Sequence, residues 1–310
     1  MGKIVVTGAA GLVGQNLILR LKAKGYRDIV AIDKHKANLA ILCSLHPDIT
    51  VVEADLAVDD SWQPSLANAE AIVISHAQIG GIDESAFKAN NVTATQRLLE
   101  AVRAHGGAYL VHLSSSVVNS AADDWYVRSK AEQELLVVSA GFPAIVLRPT
   151  LMFGWFDRKH VGWLARFMKK SPVFPVPGDG RFLRQPLYVG DLCEIIMACL
   201  QRRPASDAYN ITGLERIYYI DLMRRVRDAC GASTQIIRIP YGLFWGLLYS
   251  YSLVDKNPPF TTKQLEALVM PDVFEVIDWP DIFGIASTPL QKALNETFRD
   301  PKYSQMILEF

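Results

Sequence analysis

The sequence has few of the residues that build metal sites and disulfide frameworks. Its 310 residues include four cysteines and six histidines, and no two cysteines form a C-x-x-C pair. Structural zinc sites and disulfide-linked folds need such clusters. We therefore expect no metal site, and four buried, reduced thiols at Cys43, Cys193, Cys199 and Cys230.

An excess of charge of either sign is also absent. Lys plus Arg and Asp plus Glu each number 32, so the formal net charge is zero at pH 7. A neutral protein has no long-range field to attract nucleic acid, and a nucleic-acid partner is not expected. Any anionic ligand has to meet locally placed Arg or Lys side chains.

Long hydrophobic runs are missing as well. The longest apolar stretch, residues 239–254, contains Pro240 and two glycines and is shorter than the ~20 residues of a membrane span. We expect no integral membrane span; the stretch would be core, a subunit contact or a lipid-facing surface. The chain runs from Met1 directly into an apolar strand, which leaves no room for a signal peptide and favours a cytoplasmic protein.

The sequence does contain short β-branched runs that alternate with segments of helical periodicity. This alternation predicts parallel βαβ units in a Rossmann-type, doubly wound α/β fold. The predicted strands are 3–7, 29–33, 49–53, 71–75, 109–113 and 144–147, and the predicted helices include 14–24, 92–102, 126–139, 191–200 and 221–229. Frequent proline and glycine after Pro149 indicate a boundary near residue 150, between domains 1–150 and 151–310.

A glycine-rich turn, residues 7–14, connects the first strand to the first helix with the spacing G-x-x-G-x-x-G. Gly8 would make the tight turn, Gly11 would let the backbone approach a pyrophosphate, and Gly14 would pack closely on the strand. Asp33 ends the next strand, where a carboxylate can accept hydrogen bonds from both adenosine ribose hydroxyls. It would repel a 2′-phosphate, so the pattern predicts NAD rather than NADP. Further cofactor contacts are predicted at Ala10, Leu12 and Val13.

Two neighbouring features have more than one interpretation. Lys34, which begins a basic run after Asp33, can contribute to the cofactor site by neutralising a 2′-phosphate or can belong to a solvated turn. Asp55 and Leu56 close the third strand and would face the adenine, although Asp55 can equally be a helix N-cap.

Tyr126 and Lys130 form a Y-x-x-x-K motif, which on a helix places the phenol and the ammonium on one face. An adjacent ammonium and a cationic nicotinamide would lower the tyrosine pKa and allow it to exchange a proton with a substrate hydroxyl. Three serines, 114–116, end the preceding strand, and one of them can bind the reacting oxygen. This order of motifs predicts a hydride-transfer site at the carboxyl edge of the sheet.

These motifs resemble the extended short-chain dehydrogenase/reductase superfamily, in its NAD-dependent epimerase/dehydratase branch acting on nucleotide sugars. The resemblance covers residues 3 to about 230 and rests on TGAAGLVG (7–14), LSSS (113–116), YVRSK (126–130), LRPTLMFG (147–154) and GDGRFLRQPLYVGDL (178–192). It implies NAD as cofactor, a nucleotide-sugar substrate, a C-terminal substrate-binding lobe with some elements returning to the nucleotide-binding domain, and a homodimer paired through helices such as 91–104 and 126–139.

The resemblance also implies roles for individual residues. It assigns Ser115 as the catalytic serine with Tyr126 and Lys130, and leaves Ser116 as a one-residue alternative that would contact substrate. Ala77 would line the nicotinamide pocket, and Asn91 would support the cofactor side of the sheet. Arg184 would hold the sugar-nucleotide phosphates, or else form a surface salt bridge, and Asp191 would cap the following helix.

Departures from the family pattern narrow the expected reaction. Ser116 and Val117 stand where sugar 4,6-dehydratases have an Asp-Glu pair, which disfavours dehydration. Leu151 replaces a substrate-contacting asparagine of many epimerases. We expect a nucleotide-sugar epimerase acting at C4, with a reductase of a keto sugar or lipid-like alcohol, or a non-catalytic NAD-binding protein, as alternatives. The basic residues of 155–170 would clamp a diphosphate or form a solvated helix face.

Overall fold

The computed structural model of the protein describes residues 2–120, 124–204, 207–253, 261–269 and 275–309. Its strands are β1 Lys3–Thr7, β2 Ile29–Asp33, β3 Thr50–Glu53, β4 Ala69–Ile74, β5 Tyr109–Leu113, β6 Ala144–Pro149, β7 Met152–Phe153, β8 Val173–Pro177, β9 Leu183–Arg184, β10 Leu187–Tyr188, β11 Ala208–Ile211, β12 Ile217–Tyr218 and β13 Gln235–Ile239. Seven of them form one parallel sheet in the order β3-β2-β1-β4-β5-β6-β11. The predicted Rossmann-type α/β fold is confirmed.

Helices cover both faces of this sheet. They are α1 Leu12–Ala23, α2 Lys36–Leu45, α3 Glu84–Phe87, α4 Ala94–Ala104, α5 Trp125–Ser139, α6 His160–Lys170, α7 Val189–Arg202, α8 Tyr219–Cys230, α9 Tyr241–Ser252, α10 Thr262–Val269, α11 Trp279–Phe283 and α12 Leu290–Arg299. On β1, Val6 packs with residues of α1 and α7, whereas Val5 packs with residues of α4 and α5. Burial on both faces explains why these strands are almost continuously apolar.

The order of the strands reverses between β1 and β4, so the connections that follow them leave in opposite directions. This divergence opens a crevice at the carboxyl edge of the sheet, the usual ligand position in doubly wound folds. The glycine-rich turn, the connection after β4 and the serines after β5 all lie along this edge. The topology therefore brings together motifs that are far apart in the sequence.

Residues after β6 build a second lobe with three two-stranded sheets, β7 with β10, β8 with β13 and β9 with β12. Within the same part of the chain, β11 joins the edge of the main sheet and α7 packs against α1. Asp191 is not the N-cap of α7, because that helix begins at Val189. Its carboxylate instead accepts hydrogen bonds from the Thr288 backbone N–H and hydroxyl, which joins α7 to the segment before α12.

One expectation about buried groups is wrong, and one alternative for a second segment is removed. Cys43 is exposed, although the other three cysteines are buried and all four thiols are free. The stretch 239–254 is not core over the part described: α9 occupies most of it, and none of its described side chains is buried. Val254 lies outside the described residues. Among the residues that the structure describes, no helix is long and apolar enough to cross a membrane.

Candidate active site

The glycine-rich turn has the backbone geometry that a bound phosphate group needs. Gly8 has a φ of 65°, and a Cβ atom there would lie 2.6 Å from the backbone nitrogen of His76. A Cβ on Gly14 would overlap the backbone of Ala9. The turn leads directly into α1, whose first N–H groups have no partner within the helix and carry the positive end of the helix dipole. This geometry fits the diphosphate of a dinucleotide.

Asp33 lies against this turn. Its Oδ2 accepts a hydrogen bond of 2.9 Å from the Ala10 N–H, and its Oδ1 accepts one of 2.9 Å from the His35 N–H. The end of β2 therefore brings the carboxylate beside the glycine-rich turn. Leu12 is partly buried and Val13 is buried at the start of α1.

Lys34 is exposed, as a solvated turn requires, and its side chain is paired. Its Nζ lies 2.9 Å from Asp55 Oδ2 and 2.6 Å from Asn90 Oδ1. Partial burial would raise the pKa of Asp55, but the bonds from Lys34 and from the Ala57 N–H hold it below its usual value. The helix-cap interpretation of Asp55 is wrong, because a turn follows it rather than an α-helix. Leu56, the next residue, is buried.

Ser115 and Tyr126 meet at the carboxyl edge of the sheet. Ser115 follows β5 and caps a short 3-10 helix, Ser116–Asn119, in which Ser116 is buried. Tyr126 lies in the first turn of α5, and its phenol is close enough to Ser115 for that hydroxyl to lower the phenol pKa. Burial of Tyr126 raises this pKa more than Ser115 lowers it. Two of the three predicted catalytic residues therefore lie near each other.

Lys130 lies one turn further along α5 and is fully buried. Its Nζ donates hydrogen bonds to Leu113 O at 2.8 Å and to Gln133 Oε1 at 2.5 Å. Burial lowers the pKa of Lys130 to about 7. The expected lowering of the Tyr126 pKa is not found in the protein alone, because Lys130 is directed towards Leu113 and Gln133 and burial of the phenol dominates. Sequence reasoning missed Gln133, although its i,i+3 spacing from Lys130 was a usable signal.

A second polar network lies behind the glycine-rich turn, and the sequence analysis did not find it. His76 follows β4, and its Nδ1 lies 2.8 Å from Thr7 Oγ1 while its Nε2 lies 3.0 Å from Thr95 Oγ1. Gln133 Nε2 donates to the same Thr95 oxygen at 2.9 Å. Burial lowers the pKa of His76 to about 3, so its imidazole is neutral at pH 7. This network links β1, α4 and α5 around the crevice.

Asn91 fixes the connection that follows β4. It is buried within a π-helical turn, Lys88–Thr93, a type of irregularity that occurs often at functional sites. Its Nδ2 donates to Ser129 Oγ at 2.9 Å, and its Oδ1 accepts from the Gln78 N–H at 2.6 Å. Ala77, which precedes Gln78, is exposed. Asn91 therefore holds the loop with Ala77 against α5, which gives it a positioning role.

Arg184 belongs to the second lobe and is not a surface residue. It is 8% exposed, and its guanidinium lies 5.0 Å from the centre of the Phe182 ring. It donates to the carbonyl of Leu183 at 2.7 Å and to that of Leu268 on α10. The surface salt-bridge interpretation is therefore wrong. Among the described residues, no group of three or more His, Cys, Asp or Glu side chains is placed to bind a metal ion.

Comparisons with known proteins agree with this geometry. The sequence profile of the family described as "NAD dependent epimerase/dehydratase family" matches residues 4–212. A dTDP-glucose 4,6-dehydratase of Streptomyces niveus is 27% identical over 270 residues, which cover 76% of this chain and 80% of that protein. A ceramide reductase of Caulobacter vibrioides is 25% identical over 261 residues, covering 82% and 78%.

A solved structure shares the fold along almost the whole chain. It is the UDP-glucuronic acid 4-epimerase of Bacillus cereus in complex with NAD, which superposes with a TM-score of 0.71 at 20% identity and covers 96% of this chain and 95% of that one. The family match spans most of the chain, including the glycine-rich turn, Asp33, Ser115, Tyr126 and Lys130. The chain therefore belongs to the NAD dependent epimerase/dehydratase family, and it is an enzyme of that family with NAD as its cofactor.

Proposed function

We propose that the protein is a nucleotide-sugar epimerase that inverts C4 of its sugar. The observation that carries this proposal is the placement of Ser115 beside Tyr126 at the edge of the crevice that also contains the glycine-rich turn and Asp33. A proton-transfer pair beside a dinucleotide site suits a reversible exchange between a hydroxyl and a carbonyl group.

When bound, NAD supplies a hydride acceptor, returns the same hydride later, and carries a positive ring charge that favours a phenolate. Tyr126 takes the proton of the C4 hydroxyl as the C4–H bond breaks and the C4=O bond forms. Ser115 donates a hydrogen bond to that oxygen and holds it towards Tyr126. The keto sugar then rotates in the site to present its opposite face. A C–H bond forms on that face, and Tyr126 returns the proton to oxygen. No oxidant or reductant is consumed.

The residues beside Ser115 weigh against dehydration of the same substrate. Removing water across C5 and C6 requires an acid and a base at those atoms. Ser116 and Val117 follow Ser115, and neither brings a carboxylate. Fully buried Lys130, whose pKa is lowered by burial, weighs against a non-catalytic role, because ionisable groups with strongly shifted pKa values in a crevice are concentrated at functional sites.

A net reductase of a lipid-like ketone is the second candidate. The described part of α9 is apolar and exposes Leu243, Leu247 and Tyr249, which would suit contact with a lipid-like substrate or surface. The 25% identity to a ceramide reductase agrees with it. In this reaction the glycine-rich turn and Asp33 would hold an exchangeable NADH, which would supply the hydride for the carbonyl carbon, and Tyr126 would give the proton to the carbonyl oxygen.

The test is to incubate the purified enzyme with UDP-glucose, UDP-N-acetylglucosamine, UDP-glucuronic acid and dTDP-glucose, each deuterated at C4, and to follow the sugars by NMR. We expect one of them to give its C4 epimer with deuterium retained at C4 and no accumulation of free NADH. Tyr126→Phe should lower turnover about 10³-fold without loss of bound NAD. Tyr241→Phe, on exposed α9, is the matched control and should be unaffected.

Two results would contradict this proposal. Turnover by Tyr126→Phe at the wild-type rate would remove Tyr126 from the chemistry. Stoichiometric NADH consumption with a keto substrate, and no epimerisation of any sugar nucleotide, would establish the reductase instead.

We also propose that two copies pair through α5. Leu135 and Val138 lie on the outer side of this helix with 65% and 58% of their surfaces exposed. Apolar residues one turn apart on an uncovered helix face are typical of a helix-packing interface. A single monomeric species by sedimentation at micromolar concentration would contradict this pairing.

A further inference from the structure

A short segment that follows β7, Gly154 to Lys159, crosses from the second lobe to the nucleotide-binding region. Trp155 O accepts a hydrogen bond of 2.8 Å from Asn16 Nδ2, and Asn16 is a buried residue of α1. The Arg20 guanidinium lies 4.9 Å from the centre of the Trp155 ring. This segment is therefore fixed beside α1, the helix that follows the glycine-rich turn.

The backbone beyond Trp155 is held firmly. Phe156 has a φ of 67°, an unfavourable conformation for an aromatic residue that surrounding contacts must maintain. Asp157 is buried and accepts hydrogen bonds from the N–H groups of Lys159, at 3.0 Å, and Gly162, at 2.8 Å. Arg166 donates to Asp157 O at 2.9 Å and to Arg158 O at 2.5 Å. The side chains of Arg158 and Lys159 therefore project from a rigid base.

Those two side chains lie near different strand ends at this edge of the sheet. Arg158 is close enough to Asp33, at the end of β2, for that carboxylate to favour its charged form. Lys159 Nζ lies 3.3 Å from the position that a Cβ atom would take on Gly80, in the connection after β4. A dinucleotide bound at this edge has its adenosine ribose beside Asp33 and its nicotinamide towards β4 and β5. The diphosphate, which joins these two halves, would then lie between Arg158 and Lys159.

We propose that Arg158 and Lys159 bind the cofactor diphosphate from the second lobe, opposite the backbone N–H groups of the glycine-rich turn. Guanidinium and ammonium groups are suited to phosphate oxygens, and Arg158 can form two parallel hydrogen bonds. Both cations are half-buried, and burial lowers the pKa of each, so an anion beside them would stabilise their charged forms. Cofactor binding would then also hold the second lobe against the nucleotide-binding region.

The test compares the affinities of Arg158→Gln, Lys159→Gln and the double variant for three probes: NAD, ADP-ribose and adenosine. Calorimetry serves for the first two, after removal of any retained cofactor, and ligand-observed NMR for adenosine. We expect each single variant to bind NAD and ADP-ribose about 10-fold more weakly, and the double variant about 100-fold more weakly. Adenosine, which has no phosphate, should bind within about 2-fold of wild type.

Lys170→Gln is the matched control, because it removes an exposed cation from the far end of α6. It should bind all three probes like wild type. Thermal unfolding of each variant in the absence of ligand checks that the protein is folded. If a glutamine at 158 disturbs the loop, Arg158→Lys keeps the charge and should recover part of the affinity.

Two outcomes would overturn the proposal. A folded double variant that binds NAD and ADP-ribose within about 2-fold of wild type would show that these cations do not contact the diphosphate. Equal losses of affinity for adenosine and ADP-ribose would show that Arg158 acts at Asp33 and the ribose instead of at the diphosphate. Neither measurement depends on epimerase turnover, so this proposal is tested independently of the proposed reaction.

Discussion

The nucleotide-binding region and the α9 part of the second lobe use similar apolar residues in opposite ways. In the first region, Leu17 on α1 is fully buried against a parallel sheet. In the second lobe, Leu247 on α9 is 54% exposed, and a charged residue, Arg184, is buried. The difference indicates that α1 is stabilised by the core, whereas α9 presents an apolar surface for contact with something else.

We expect the largest effects on stability and turnover from replacing Lys130, because this residue is a buried charge within the well-packed nucleotide-binding region. Lowering a lysine pKa from 10.5 to about 7 corresponds to a destabilisation of about 5 kcal/mol. Lys130→Met would remove that penalty, but it would leave Leu113 O and Gln133 Oε1 without their donor, at about 1–1.5 kcal/mol each. We expect the variant to be more stable by about 2 kcal/mol and to lose turnover at least 100-fold.

The pH dependence of the free energy of unfolding tests whether the lowered pKa of Lys130 causes this destabilisation. Between pH 7 and pH 10 the unfolded lysine stays protonated while native Lys130 is neutral, so the free energy of unfolding of the wild type should rise with pH over this range. Lys130→Met should lack this rise, and Lys292→Met, at an exposed site on α12, should keep it. Urea unfolding at several pH values measures both. A less stable Lys130→Met without a change in the pH slope would contradict the inferred penalty.

Arg184 provides the corresponding test in the second lobe. If it binds a substrate phosphate, Arg184→Gln should raise KM about 10- to 30-fold, with kcat and NAD affinity little changed. Arg184→Lys should recover only part of this, since an ammonium lacks the planar face that packs on Phe182. Arg181→Gln, an exposed neighbour, is the control. A loss of thermal stability with KM unchanged would show that Arg184 only joins β9 to α10.

The same contrast explains what the sequence could predict. The strands of the parallel sheet are continuous apolar runs, and β1, β2 and β5 were predicted with the observed bounds. The glycine-rich turn and the Y-x-x-x-K motif depend on neighbours in sequence, and the structure brings Ser115 to Tyr126. The hydrogen bond from Lys130 to Leu113 O was not predictable, because it depends on how α5 packs against β5.

Contacts between distant segments were the hardest to predict. The partners of Lys34 are Asp55 and Asn90, which lie 21 and 56 residues further along the chain. Asp191 meets Thr288 over a separation of 97 residues, so a helix cap was the natural expectation from local sequence. His76 was missed because a single histidine after a strand gives no periodic signal, and its partners Thr7 and Thr95 come from two other elements.

The smallest expected effect is at Leu247, where a change should barely alter the stability of the isolated chain. Leu247→Ala keeps a good helix former at an exposed position and should cost less than about 0.5 kcal/mol. Leu17→Ala, the matched change in α1, should cost about 2–5 kcal/mol because it opens a cavity in the core. Urea unfolding at two protein concentrations measures the free energy of unfolding of both variants. If Leu247→Ala lowers the free energy of unfolding by 2 kcal/mol or more, α9 is covered in solution. If that loss also depends on protein concentration, a second copy of the chain covers it, since only association responds to concentration.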